Sequence, residues 1–132
     1  MFFYKKQLYL NIRHNSRYFL IVAKSGYVYL LADTLNNGIY KIGVTTGSID
    51  KRIKKLQTGN AGEIYICRKH KTDYPFFVEK KLHMKFAKEN VLNEWFSLDD
   101  DEAMSFNDEC EKIENLIREM SDNPFFRKEL KM

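Results

Sequence analysis

Glu79 and His83 stand four residues apart in PFFVEKKLHMKF, so a helix running through them carries a carboxylate and an imidazole on one face. A carboxylate is a hard oxygen ligand for a small divalent cation, and an imidazole can hold an anion or move a proton near neutral pH. Two ligands fall short of a closed zinc site, which takes four. Earlier in the chain, IDKRIKKLQ gathers Lys51, Arg52, Lys54 and Lys55, and the planar fork of an arginine suits the paired oxygens of a phosphate. Tyr27, Tyr29 and Tyr40 lie in two β-branched, aromatic stretches, GYVYLLAD and IYKIGVT. Hydrolysis of a phosphate ester needs such a set: a group that relieves water of a proton, a cation at the phosphate, and compensation for the charge on the leaving oxygen. Each residue also has a plainer reading by itself, as a strand aromatic, a solvated cation or a carboxylate in contact with water.

The elements that must position these residues are legible in the pattern. GYVYLLAD (26–33) and IYKIGVT (39–45) read as strands, and TLNNG between them ends in Asn37-Gly38, a hairpin turn pair. Gly38 therefore has a sufficient structural task in the literal Gly38-Ile39-Tyr40. Ser48 can cap a helix over IDKRIKKLQ, with Ile49, Ile53 and Leu56 as its apolar stripe. Thr58-Gly59-Asn60-Ala61-Gly62 is a loop without the lysine pattern of a phosphate-binding Walker loop. EIYICRK (63–69) reads as a third strand, Asp73 and Pro75 open a second helix through Phe86, and NEWFSL (93–98) is a brief extended segment in which Trp95-Phe96 close the core. Ser97, three residues before Asp100, marks a capping-box entry to a long acidic helix whose Phe106, Cys110, Ile113, Ile117 and Met120 recur at helical spacing until Asp122-Asn123-Pro124 stops it. QLYLNIR (7–13) and RYFLIVA (17–23) suggest an amino-terminal hairpin.

This order predicts an α+β domain: a small mixed, mainly antiparallel sheet flanked by helices, with an added carboxyl-terminal amphipathic helix. The expected organisation is an extension over 1–25, a core over 26–98 and an acidic helical extension over 99–132 packed on that core, with no internal repeat or linker.

At 132 residues the chain is one domain's worth and should bury about two-thirds of the surface its unfolded form exposes. Hydrophobic residues make up 44% and charged residues 30%, which excludes a disordered or low-complexity chain. The longest apolar run, Tyr18 to Ala23, is far below the roughly 20 residues that cross a bilayer. The amino terminus mixes Lys5, Lys6, Arg13 and Arg17 with aromatics, unlike a secretory signal, so the expectation is a protein that stays inside the cell and off the membrane. Cys67 and Cys110 are the two cysteines, too few for a disulfide framework and read as small buried side chains. The net charge of +4 hides a division: residues 1–98 carry 17 Lys and Arg against 7 Asp and Glu, and residues 99–132 carry 5 against 11. A basic body favours a polyanionic partner, because each neutralised phosphate releases counterions. The acidic helix could also mimic phosphate and shield the basic face.

In order and spacing the chain resembles the GIY-YIG endonuclease superfamily. The register that fits places Tyr27-Val28-Tyr29 where the family has GIY and Lys41-Ile42-Gly43 where it has YIG, with Arg52 on the following helix and Glu79 on a later one. YVYLL, YKIG, LQTGN, the E..LH..F pattern and EWF, all within 26–98, are most similar to a branch found in phages and large DNA viruses. That branch is sometimes joined to a Bro-type DNA-binding domain and is related to a meiotically up-regulated fungal protein. Two positions depart from the wider pattern: Lys41 replaces the YIG tyrosine, and Leu56 stands one turn after Arg52 where many members have histidine. The family's asparagine beyond the glutamate falls at Asn93 or Glu94.

The resemblance implies an endonuclease that hydrolyses DNA with one divalent ion, Mg²⁺ or Mn²⁺, held by Glu79. It implies Tyr29 as general base, with Arg52, Lys41 and His83 on phosphates, Tyr27, Lys51, Lys55 and Asn60 binding substrate, and a setting in the host cell of a DNA virus. A phenol ionises near pH 10, so the base needs a neighbour such as Lys41 or the metal to favour the phenolate. The alternatives are a nucleic-acid-binding module with little or no cleavage, and a structural or protein-interaction protein that uses the carboxyl-terminal helix.

Overall fold

The computed structural model describes residues 24–122; the expected amino-terminal hairpin and the Asn123-Pro124 stop lie outside them. β1 (Gly26–Asp33) and β2 (Ile39–Thr45) form the predicted hairpin. Its turn is closed by Asn36 N–H on the Asp33 carbonyl and Ile39 N–H on the Asn36 carbonyl, and Gly38 takes φ 80°, a conformation costly for residues with a Cβ. α1 (Ile49–Gln57) starts at Ser48, whose hydroxyl accepts from Lys51 N–H. β3 (Ile64–Thr72) is longer than the sequence suggests. α2 (Pro75–Lys85) begins at its proline, where a missing N–H is no loss. A 3₁₀ turn over Ala87–Glu89 leads to β4 (Asn90–Leu92) and β5 (Trp95–Ser97), then to α3 (Asp100–Met104) and α4 (Phe106–Asp122).

The sheet has the order β3-β1-β2-β5-β4, and every pairing is antiparallel, so the α+β class is as read and the sheet is not mixed. NEWFSL supplies only one arm of a hairpin: β4 is too short and exposed to carry a period-two signal, and Asn93 turns the chain with φ 51°. The carboxyl-terminal helix also differs in its entry. Asp99, not Ser97, forms the capping box, with Glu102 as its partner, because Ser97 is still paired in β5 with Ile39. The helical run breaks at Ser105 into two pieces.

Period-two alternation divides β1 between two apolar layers. Val28 and Leu30, with Ile42 and Val44 of β2, face α2 and α4 and pack with Val78, Leu82, Phe86, Phe96, Phe106 and Cys110. Burial and the Glu114, Glu109 and Glu111 carboxylates push the Cys110 thiol up to about 12, as expected of an inert core cysteine. Tyr29 and Leu31 face the other way, with Ile64 and the α1 side chains Ile53 and Leu56. α4 is tied to the outer layer of β3 by His70 Nε2 and Glu114 Oε1 at 2.8 Å and by Asn107 Nδ2 on the Lys69 carbonyl. It thus covers the face opposite Tyr29 and does not shield that tyrosine's side of the sheet. Among the described residues no helix is long and apolar enough to cross a membrane.

Candidate functional site

Tyr29 lies in the middle of the sheet, directly opposite Gly43 on β2. A Cβ built on Gly43 would stand 2.6 Å from both Cε1 and the hydroxyl of Tyr29. The ring therefore lies across the β2 backbone, and only a glycine leaves room for it. This gives the Lys41-Ile42-Gly43 motif a concrete task that the sequence reading left unstated. Arg52, on the α1 face turned toward the sheet, donates from Nε to the Tyr29 hydroxyl at 3.3 Å. Ser48 sets the phase of that helix by capping it, and Ile49, Ile53 and Leu56 pin it to the sheet, so Arg52 reaches the ring by necessity of register.

Tyr29 is fully buried, and burial pushes its phenol above the ordinary tyrosine range. The Arg52 hydrogen bond and charge pull it back down, while the Glu94 and Glu79 carboxylates push it up. The cation on the hydroxyl is thus Arg52, whereas the sequence reading expects Lys41 or the metal as the neighbour. Lys41 shares the Tyr29 face but its Nζ pairs with Glu94 Oε2 at 3.2 Å and sits 5.6 Å from the centre of the Trp95 ring. Both partners of that pair are largely shielded, 13% and 19% exposed, so salt screens the contact less than it would an open surface pair. Of Asn93 and Glu94, the first turns the chain between β4 and β5 and the second reaches Lys41.

α2 reaches the same place from the other side of β2. β5 pairs with β2 only from Ile39 to Lys41, with Ile42 N–H bonded to the Glu94 carbonyl. Where β5 ends, His83 Nε2 lies 2.9 Å from the Ile42 carbonyl. A carbonyl only accepts, so Nε2 carries the proton. The imidazole also packs 5.0 Å from Phe96. His83 therefore fastens α2 to the sheet. One turn earlier, Glu79 is 1% exposed and near enough for its charge to act on the Tyr29 phenol.

The remaining residues singled out from sequence separate. Tyr27 shares the Tyr29 face and lies under Lys69 Nζ, 5.8 Å from its ring centre. Lys51 and Lys55 are exposed on α1, flanking Arg52. Tyr40, the tyrosine of the literal GIY, belongs to the opposite layer with Cys67 and Phe76. Asn60 is not brought to the site: its side-chain amide donates to Asp33 Oδ2 at 3.2 Å and to the Gly62 carbonyl at 2.8 Å, at the far end of β1, about 13 Å of strand from Tyr29. LQTGN is a clasp in which Gln57 binds Gly62 O and Ile64 N–H, and Gly59 turns with φ 81°. Asp33 is held below the usual carboxylate range by Leu35 N–H and the Asn60 amide.

Among the described residues no group of three or more His, Cys, Asp or Glu comes together as a metal cluster. Glu79 and Glu94 are the carboxylates whose charges reach the Tyr29 hydroxyl. One or two carboxylates, completed by water and phosphate oxygens, is a donor set that Mg²⁺ and Mn²⁺ accept.

The family model of the T5orf172 domain matches residues 26–121. The chain belongs to that family, a phage-associated, nuclease-related group. No curated protein and no solved structure matches the chain.

Proposed function

We propose that the chain is a GIY-YIG-type endonuclease domain that hydrolyses DNA phosphodiester bonds with one divalent ion. The observation that carries this reading is the convergence on one hydroxyl: Tyr29 crosses Gly43, receives Arg52 from α1, and feels Glu94 from the β4–β5 turn and Glu79 from α2. Tyr29 Oη takes the proton of the attacking water; because burial raises the phenol, the phenolate that this requires depends on the Arg52 hydrogen bond together with the positive charge of the ion that Glu79 would hold. The planar guanidinium fork suits the paired non-bridging oxygens of the phosphate. Glu79 would hold the ion, which supplies charge at the scissile phosphate and eases ionisation of water when bound. Lys41 keeps Glu94 oriented rather than acting on the phenol. His83 holds the α2 backbone in register, so that Glu79 stays aimed at the site.

Leu56 favours a second reading. It packs with Tyr29 and Leu31 in the place where many members of the superfamily carry histidine, which removes a proton carrier from the site. A binding module that cuts slowly or not at all would keep everything else. Nicking of supercoiled plasmid with Mg²⁺ and with Mn²⁺ separates the two. Metal-dependent nicking lost in a folded Glu79→Ala protein supports the nuclease, and salt-sensitive DNA binding without nicking in wild type selects the binding module.

A further inference from the structure

We infer that Lys69 and Lys71 form a backbone-binding track on the β3 edge of the sheet, holding successive phosphates of a nucleic-acid strand that passes beside Tyr29. The inference rests on the nucleic-acid reading above and extends it to residues outside the Tyr29 constellation. In the β1–β3 register Lys69 lies directly opposite Tyr29 and Lys71 opposite Tyr27, and directly opposed residues of an antiparallel pair share a face. Both lysines are exposed, and Lys69 Nζ is over the Tyr27 ring, which fixes its direction. Two residues along a strand span about 6.6 Å, comparable to the step between successive phosphates of one strand.

The intervening residue shows that this placement is not general lysine richness. His70 points to the opposite layer and meets Glu114 of the acidic α4. Asn107 of α4 takes the Lys69 backbone carbonyl, not its side chain. A helix rich in carboxylates thus packs directly on β3, yet Lys69 and Lys71 are turned away from it, onto the side that also carries Arg52. The Tyr29 side of β3 is thus basic where the α4 surface packed on its other side is acidic, an arrangement that draws a polyanion to the Tyr29 side and repels it from α4. Lysines on an edge strand also discourage pairing with other strands, but that role is indifferent to phosphate.

The test is the salt dependence of binding to a fluorescein-labelled 20-mer, as duplex and as single strand, with chelator present to prevent cleavage. Neutralising one phosphate contributes a slope of about −0.9 on duplex and about −0.7 on single strand in log K against log salt. The full chain carrying Lys69→Ala and Lys71→Ala should lose about 1.8 or about 1.4 of slope respectively. A control with the same charge change on other elements, Lys88→Ala with Lys112→Ala, should keep the wild-type slope. An unchanged slope in the Lys69/Lys71 protein, or an equal loss in the control, overturns the track. A slope loss in a protein that never nicks DNA leaves the track standing and removes the nuclease. Nicking by wild type with an unchanged slope in the Lys69/Lys71 protein removes the track alone.

Discussion

Replacing Gly43 by alanine tests the geometry of the site more sharply than removing any functional group, because it adds one methyl and deletes nothing. The new Cβ would stand 2.6 Å from Tyr29 Cε1 and Oη, where ordinary contact begins at 3.4 Å, so the ring must move by about 0.8 Å, the difference between those distances. Tyr29 is fully buried under α1, so the displacement strains its neighbours; overpacking of this kind costs ~1–3 kcal/mol, with roughly 5 °C of melting temperature for each kcal/mol. The Arg52 Nε to Tyr29 Oη hydrogen bond is already 3.3 Å long, and a shift of that size alters its geometry. A misplacement of about 1 Å can lower a rate ~10²-fold. The expected result is single-turnover DNA cleavage slowed ~10²-fold, with DNA affinity within about twofold of wild type, since the exposed lysines are untouched. Gly47→Ala is the matched control: its Cβ meets only Thr45 Oγ1 at 3.8 Å, and it should leave both quantities unchanged. Wild-type cleavage by a folded Gly43→Ala protein would refute the view that the glycine exists to seat Tyr29.

Two further outcomes follow from the same contacts. Gln57→Ala removes the bonds to Gly62 O and Ile64 N–H and should lower stability by ~2 kcal/mol in chemical denaturation; an unchanged midpoint would remove the clasp role of LQTGN. Burial raises the folded Tyr29 phenol above its unfolded value near 10. Its contribution to stability is therefore fully present below about pH 10 and is lost as pH rises through the folded value. Tyr29→Phe should flatten the alkaline loss of stability relative to wild type, and identical alkaline profiles would contradict that assignment.

The sequence discloses the fold through local signals that have no rival reading. Asn37-Gly38 between two aromatic strands, Ser48 before an amphipathic run and Pro75 at a helix start each act within a few residues, and each element forms where those signals place it. β4 escaped because a three-residue exposed strand has no periodicity to detect. The shift of the cap from Ser97 to Asp99 arises because strand pairing holds Ser97 first. The meeting of Tyr29 with Arg52 was legible only through spacing between motifs, since nothing local distinguishes Tyr29 from Tyr40. The partners of Lys41 and Asn60 were not legible at all. Lys41 meets Glu94 because β5 lies beside β2, and Asn60 meets Asp33 because two loops converge at one end of β1. Such contacts follow from sheet order, and a sequence pattern does not carry sheet order.

The central claim is that Tyr29, and not the tyrosine of the literal Gly38-Ile39-Tyr40, is the residue at which a phosphodiester is cut. Single-turnover cleavage of a labelled DNA by Tyr29→Phe and Tyr40→Phe, both shown to be folded, compares the two directly under one Mg²⁺ concentration. The account predicts that Tyr29→Phe loses at least ~10²-fold, as expected for a proton-transferring group, while Tyr40→Phe cuts at close to the wild-type rate. Equal rates in Tyr29→Phe and wild type, or a loss confined to Tyr40→Phe, would contradict it.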